Sequence, residues 1–144
     1  MIRSSQKETL SEIQGPALQD EVGIGSLTLP GFLEELAARH GSREALRWRD
    51  LAGVERSWTY AELYDESQDV AKALLAAGVG RGTRVGLLIS NRPEWLFGMF
   101  GAAMAGAVTV ALNTFSTEQE LGYQLRLADV EVLIMEASVA SNDF

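Results

Sequence analysis

The sequence predicts an α/β fold, a doubly wound parallel sheet of about three strands flanked by helices, with an N-terminal antiparallel hairpin. Three observations carry this expectation. Apolar runs at 85–89, 107–112 and 132–135 are short and mostly β-branched or aliphatic, as strands covered on both faces are. Helical patterns alternate with those runs, and the order helix, strand, helix, strand, helix, strand implies parallel strands joined by right-handed crossovers. Ahead of them, Leu46 and Trp48 alternate with Arg47 and Arg49, while Trp58 and Tyr60 alternate with Ser57 and Thr59. The intervening turn at 50–53 makes these a hairpin.

Taken in order, residues 1–26 are polar, mixed in charge and punctuated by Gly15, Pro16, Gly23 and Gly25, so a flexible N-terminal arm is expected there. From Thr28 to His40, Phe32, Leu33, Leu36 and Ala37 share one helical face, and Gly41 stops the helix. Thr59 and Glu62 have capping-box spacing: the hydroxyl serves the amide three residues on and the carboxylate reaches back. Leu63, Val70 and Leu74 then mark the core side of a long helix running to about Ala77. The glycine-rich stretch 78–83 leads into the strand at 85–89.

The next helix, 93–106, is apolar apart from Glu94 in its first turn. Asn91 is expected to cap it, Pro93 suits its first turn, and Gly106 suits the left-handed residue that ends it. Gly98, Gly101, Ala102 and Ala105 form a small-residue stripe opposite Leu96, Phe100 and Met104, which predicts close packing on the sheet. Trp95 to Leu112 is an uncharged run at the lower length limit for a membrane span. Its β-branched second half, Gly106 and the lack of flanking Lys or Arg clusters favour a buried helix followed by a buried strand. Thr117 and Glu120 repeat the capping box, Leu121 and Leu125 lie one turn apart on a last helix, and 132–135 supplies the third strand.

Composition narrows the function classes. With 144 residues and 47% hydrophobic content, one domain with its own core is expected. A formal charge of −8 and no basic patch argue against nucleic acid as a partner. No cysteine occurs, which removes thiolate chemistry and zinc–thiolate sites and fits a reducing compartment. The N-terminus has no apolar core of a secretory signal, so the expected location is cytoplasmic, with no transmembrane segment.

The candidate chemical groups have ordinary roles that account for them. Gly78, Gly80 and Gly82 end a helix and enter a strand, the reverse of a phosphate-binding loop, which leaves a strand and opens a helix. His40, the only histidine, sits at a helix end with no partner that marks it as base or ligand. Asp65, Glu66 and Asp69 fall on a solvated helix face rather than in a metal site. A serine-hydrolase elbow is missing, and Trp48, Trp58 and Trp95 read as packing residues. Only Lys7 and Lys72 could serve as lysine partners for phosphate. No catalytic, cofactor-binding or metal-binding residue is therefore assigned.

One series of residues points further. Trp58-Thr59-Tyr60 with Glu62-Leu63, Gly78 to Val85, Asn91 with Pro93-Glu94, Gly101-Ala102 with Ala105-Gly106-Ala107-Val108, Leu112-Asn113, and Glu120-Leu121 before 132–134 follow one another in order. Over about residues 27–136 this resembles the N-terminal part of the adenylate-forming (AMP-binding) family of acyl-CoA synthetases, luciferases and peptide-synthetase adenylation domains. Thr83 stands where that family has Asp, and Ala111 where Pro often precedes Leu-Asn.

The resemblance implies that residues 27–144 are an N-terminal subdomain cut off before the ATP-binding motifs. The parent enzyme would activate a carboxylic acid, fatty or aromatic, with ATP and magnesium and pass the acyl group to coenzyme A. No cofactor is expected in the segment itself, and alone it is expected to be inactive. Two alternatives stand beside this: a free-standing α/β binding module, and part of an adenylation domain that feeds a carrier protein. A segment cut from a larger domain is expected to form homo-oligomers through an open sheet edge or apolar surface, whereas a clean monomer would favour a self-contained module.

Overall fold

The structure is a computed structural model and describes residues 28–139 and 142–143. The arm expected at 1–26, with Lys7, lies outside the described residues. The elements are α1 (Leu29–His40), β1 (Glu44–Arg49), β2 (Glu55–Thr59), α2 (Tyr60–Ala76), β3 (Arg84–Leu88), α3 (Pro93–Met104), β4 (Val108–Ala111), α4 (Glu118–Leu127) and β5 (Val132–Met135). A short antiparallel pair that the sequence pattern did not signal, β6 (Ser138–Val139) with β7 (Asn142–Asp143), follows.

The central sheet has the order β4-β3-β5, with both neighbours parallel to β3. Val85 lies opposite Thr109 and Val132, and Leu87 opposite Ala111 and Ile134. Because β3 to β4 steps one way and β4 to β5 steps back across β3, right-handed crossovers place α3 and α4 on opposite faces. This is the doubly wound arrangement. β1 and β2 form a separate antiparallel hairpin, with Leu46 opposite Trp58 and Trp48 opposite Arg56.

Two apolar clusters hold these layers together. In the first, Val85 and Leu87 of β3 are fully buried against Ala102 and Ala105 of α3, with Leu74, Val79 and Ile89 around them. In the second, Leu33 of α1, Leu63 of α2 and Phe97 and Phe100 of α3 meet, and Trp58 sets its edge against Phe97 at 5.8 Å between ring centres. Fully burying one such side chain stabilises the fold by about 1.5–3 kcal/mol.

The small-residue stripe of α3 does not act as one surface. Ala102 and Ala105 join the β3 cluster and Gly98 sits under Leu87, but Gly101 faces α2. There a Cβ would lie 2.7 Å from the Val70 side chain and 2.9 Å from the Ser67 carbonyl oxygen. Ser67 is itself fully buried and is satisfied by donating its hydroxyl to Leu63 O at 2.6 Å. Bulky residues opposite the stripe fill the second cluster, so the helix is buried on two sides because it is sandwiched between sheet and helices.

Local signals set most boundaries. Thr59 N donates to Glu62 Oε2 at 2.7 Å while Glu62 N donates to Thr59 Oγ1 at 3.2 Å, which is the complete capping box. Thr117 and Glu120 do the same for α4 at 2.8 and 3.3 Å. Thr28 caps α1, its hydroxyl accepting from Gly31 N at 3.2 Å. Gly106 ends α3 at φ 78, in the left-handed region that glycine reaches without strain.

Several expectations need correction. The N-cap of α3 is Arg92, with no side-chain cap bond, and Asn91 lies one residue too early to reach the first turn's amides. Tyr60 begins α2 instead of continuing β2, because the capping box at Thr59 turns the chain there. Phe32 is 46% exposed, leaving Leu33 as the buried anchor of α1. Gly41 does end α1 as its C-cap, in a right-handed conformation at φ −45. No helix among the described residues is long and apolar enough to cross a membrane; α3 has 12 residues.

Candidate functional site

In an open α/β sheet the strand ends at a reversal of strand order leave a crevice where loops diverge. Here β3 lies between β4 and β5, so the crevice opens beyond Leu88, Ala111 and Met135. The structure has an open cleft of about 1010 Å³ at that place. Its floor includes Ile89 and Leu112, its walls Trp95 of α3 and Trp48 of β1, and its mouth Leu51 of the hairpin tip and Phe115 after β4. Phe115 is 85% exposed and Leu51 wholly so.

The polar side of the cleft is organised around Glu136, the first residue after β5. One carboxylate oxygen accepts from the Ser90 hydroxyl at 2.7 Å and from the Ser90 backbone N–H. The other accepts from Arg92 Nη1 at 3.1 Å. Arg92 in turn donates through Nε and Nη2 to the two oxygens of Glu94, at 2.8 and 3.2 Å. Its guanidinium stands 5.9 Å from the centre of the Trp48 ring, within cation–π reach. Trp48 completes the arrangement by donating its indole N–H to the Asn91 carbonyl at 3.3 Å. A hairpin, a strand end and a helix start thus meet at one arginine.

The electrostatics follow from these bonds. Burial alone would push the Glu136 carboxyl up, but the hydrogen bonds from Ser90 and Arg92 outweigh it and hold the group below its ordinary range. Glu94 shows the same balance, with burial raising it and Arg92 bringing it net downward. Arg92 is pushed up, first by the bond to Glu94 and then by that to Glu136. Both carboxylates are therefore ionised at neutral pH.

The candidate residues of the sequence lie elsewhere, except Trp48, Trp95 and Asn91, which line the cleft. Gly78, Gly80 and Gly82 are at the opposite end of β3 from the cleft, where Gly82 N donates to Gly106 O at 3.0 Å. His40 lies at the end of α1 beside Tyr60, 6.3 Å between rings. Asp69 pairs with Lys72 at 2.7 Å on the outer face of α2, and Asp65 and Glu66 are exposed on the same helix. Trp58 packs in the core as expected and Trp95 both packs and lines the cleft; Trp48 is a cleft wall, which corrects its reading as a packing residue.

Ser90, Arg92 and Glu136 were not singled out in the sequence. Arg92 and Glu136 are 44 residues apart, and only the parallel pairing of β3 with β5 brings them together. A triphosphate needs cations and amides free to converge on it. The cleft's cations are Arg49 and Arg92; Arg49 is paired with Glu55, and Arg92 with Glu94 and Glu136. Among the described residues no three His, Asp or Glu side chains form a group that could hold a metal ion. Among the described residues, the cleft lining does not fit a nucleotide triphosphate or its magnesium.

Known proteins supply the context. Residues 33–143 match the family described as AMP-binding enzyme. The acyl-CoA ligase SID4 of Ajellomyces capsulatus is 31% identical over 147 aligned residues, covering 99% of this chain and 23% of that protein. Crotonobetaine/carnitine–CoA ligase of Salmonella typhimurium is 31% identical over 114 residues, 79% of this chain and 22% of its own length. The chain thus spans less than a quarter of these curated relatives. Among solved structures, the N-terminal subdomain of Klebsiella oxytoca NpsA superposes with a TM-score of 0.71 at 29% identity, covering 79% of this chain and 28% of that one. NpsA also matches as part of an artificially fused adenylation–PCP di-domain, at a TM-score of 0.69 and 29% identity over 78% of this chain and 20% of that one. A family match over residues 33–143, which carry both apolar clusters and the cleft, leads to one conclusion: this chain belongs to the AMP-binding enzyme family.

Proposed function

We propose that these 144 residues are the N-terminal scaffold segment of an AMP-forming acid–CoA ligase. The whole enzyme converts a carboxylic acid, ATP and coenzyme A to acyl-CoA, AMP and pyrophosphate. The observation that carries the reading is the family match over residues 33–143, supported by curated relatives named as CoA ligases. This reading gives ATP, magnesium and CoA chemistry to residues outside the segment, and the pairing of both cleft arginines with carboxylates supports it. The segment contributes the sheet, its hairpin and the cleft at the strand ends, and no residue of it is assigned a catalytic role.

The test pairs two proteins. The isolated 144-residue chain is expected neither to bind ATP with magnesium in calorimetry nor to release pyrophosphate with fatty or aromatic acids. A chain extended through its reading frame is expected to do both and to yield a CoA thioester. Micromolar ATP binding by the isolated chain would refute the scaffold assignment. An extended chain without adenylation would favour a free-standing α/β binding module.

A second reading, an adenylation domain feeding a carrier protein, is favoured by the likeness to NpsA in its adenylation–PCP fusion. Adenylation without CoA thioester, but with transfer to a phosphopantetheinylated carrier, would select it.

A further inference from the structure

The hairpin β1–β2 is not part of the parallel sheet, yet its Trp48 forms one wall of the cleft whose other side is the strand ends. Something must fix the distance between them. Trp58 anchors the base of the hairpin in the core, whereas Leu51 and Val54 at its tip are exposed and contribute no packing. Between base and tip, a polar link from hairpin to sheet runs from Trp48 through Asn91 and Arg92 to Glu136. We propose that Arg92 is a positioning residue, a clasp that holds Trp48 against the end of β5 through Glu136 and so sets the aperture of the cleft. This inference does not rest on the ligase reading.

Geometry gives the clasp direction. Arg92 touches three separate elements: the Trp48 ring at 5.9 Å, Glu94 of α3 at 2.8 Å and Glu136 beyond β5 at 3.1 Å. Because the guanidinium is planar, one orientation serves both carboxylates and the ring face, and rotating it toward Glu94 alone uncovers Trp48. Glu136, with its side chain 16% exposed, provides the counter-pull that prevents this rotation. The remaining charged groups lining the cleft are Arg49 and Asp50 of the hairpin. Arg49 is held by Glu55, and Asp50 Oδ1 accepts from Val54 N at 2.8 Å within the tip. Neither competes for Arg92. Neutralising Glu136 is thus the change that releases the clasp and lets the hairpin swing outward.

Three tryptophans make this measurable. The whole chain is labelled with fluorotryptophan, and the three fluorine resonances are assigned by single Trp→Phe replacements. On lowering the pH from about 7 to about 3, the Trp48 resonance is expected to shift with a midpoint in the carboxylate range, while that of Trp58 stays fixed. Glu136→Gln is expected to put the Trp48 resonance at its acid position throughout and to abolish the titration. Glu94→Gln and Asp50→Asn are expected to leave the titration in place. Arg92→Met should match Glu136→Gln, and Arg92→Lys should recover part of the neutral-pH position, since charge survives without the planar fork. A Trp48 titration that persists in Glu136→Gln, or a Trp58 resonance that moves in step with Trp48, would overturn the proposal.

Discussion

Replacing Gly101 and Gly98 separately by alanine isolates how closely α2 and α3 approach. Both positions lie inside α3, so each substitution brings the same gain in helix propensity, about 0.8–1 kcal/mol. Their surroundings differ. At Gly98 the new methyl would stand 3.2 Å from Leu87 Cδ2, the end of a side chain that can rotate away. At Gly101 it would stand 2.7 Å from Val70 Cβ and 2.9 Å from the Ser67 carbonyl, atoms fixed to the α2 backbone. Relief there requires the helices to separate, with an overpacking cost of about 1–3 kcal/mol. Gly98→Ala should therefore be neutral or slightly stabilising, and Gly101→Ala should fall below it by about 1–3 kcal/mol. At roughly 4 °C per kcal/mol for a domain of this size, the thermal midpoints should differ by roughly 4–12 °C. Thermal melts followed by circular dichroism, checked by urea titration, measure the gap. Equal midpoints, or Gly101→Ala the more stable, would refute the close approach.

Other outcomes follow from the same packing and charge arrangements. Ala102→Leu, at a fully buried position against β3, should cost about 1–3 kcal/mol in a denaturant melt. Thr59→Ala should remove the hydroxyl half of the α2 capping box and cost about 1 kcal/mol by the same assay. Glu62 and Glu120 are held below the ordinary carboxylate value of 4.5 first by the backbone N–H of their capping partners, and Glu136 lies below it because its bonds outweigh burial. A lowered folded-state value stabilises the fold above the unfolded value and is lost as pH falls through the folded one. Melting midpoints should accordingly be level from neutral pH to about 5 and decline below about 4.5. The outer strands β4 and β5 each have one edge without a strand partner among the described residues, so the isolated chain should self-associate in light scattering. Val108→Lys, on the half-exposed edge strand β4, should shift that equilibrium toward monomer.

Much of the fold was legible because its signals are local. Thr59 with Glu62, Thr117 with Glu120 and the glycine at 106 each act within a few residues, and each works as its spacing implies. The three parallel strands were legible for another reason: strands buried on both faces must be apolar at consecutive positions. Asn91 misled because its side chain is a good cap in general, while Pro93 already fixes the helix start at the next residue. Phe32 misled because helical spacing defines a face but not whether anything covers its edge. The cleft's polar centre was beyond reach of the sequence, since Ser90 and Glu136 are 46 residues apart and become partners only through the register of β3 with β5. Membership of the family could be read from the ordered motifs, which are themselves mostly caps, turns and close-packing residues.

Gly86, in the middle of β3, has a consequence for the far face of the sheet. Alternation turns it away from α3, and side-chain tips of Leu112, Val130 and Leu133 close over the place where a Cβ would be, 3.0–3.2 Å away. The strand is thereby roofed by its own neighbours and by a residue following α4. α4 fully buries no residue: Leu121 and Leu125 are half-buried, and Tyr123 and Leu127 turn to solvent. In hydrogen exchange the amides of α4 should open in a separate, low-energy step while those of β3 wait for global unfolding. Such a helix is a loosely held panel whose outer face, at Tyr123 and Leu127, is free to change or to be borrowed by another surface.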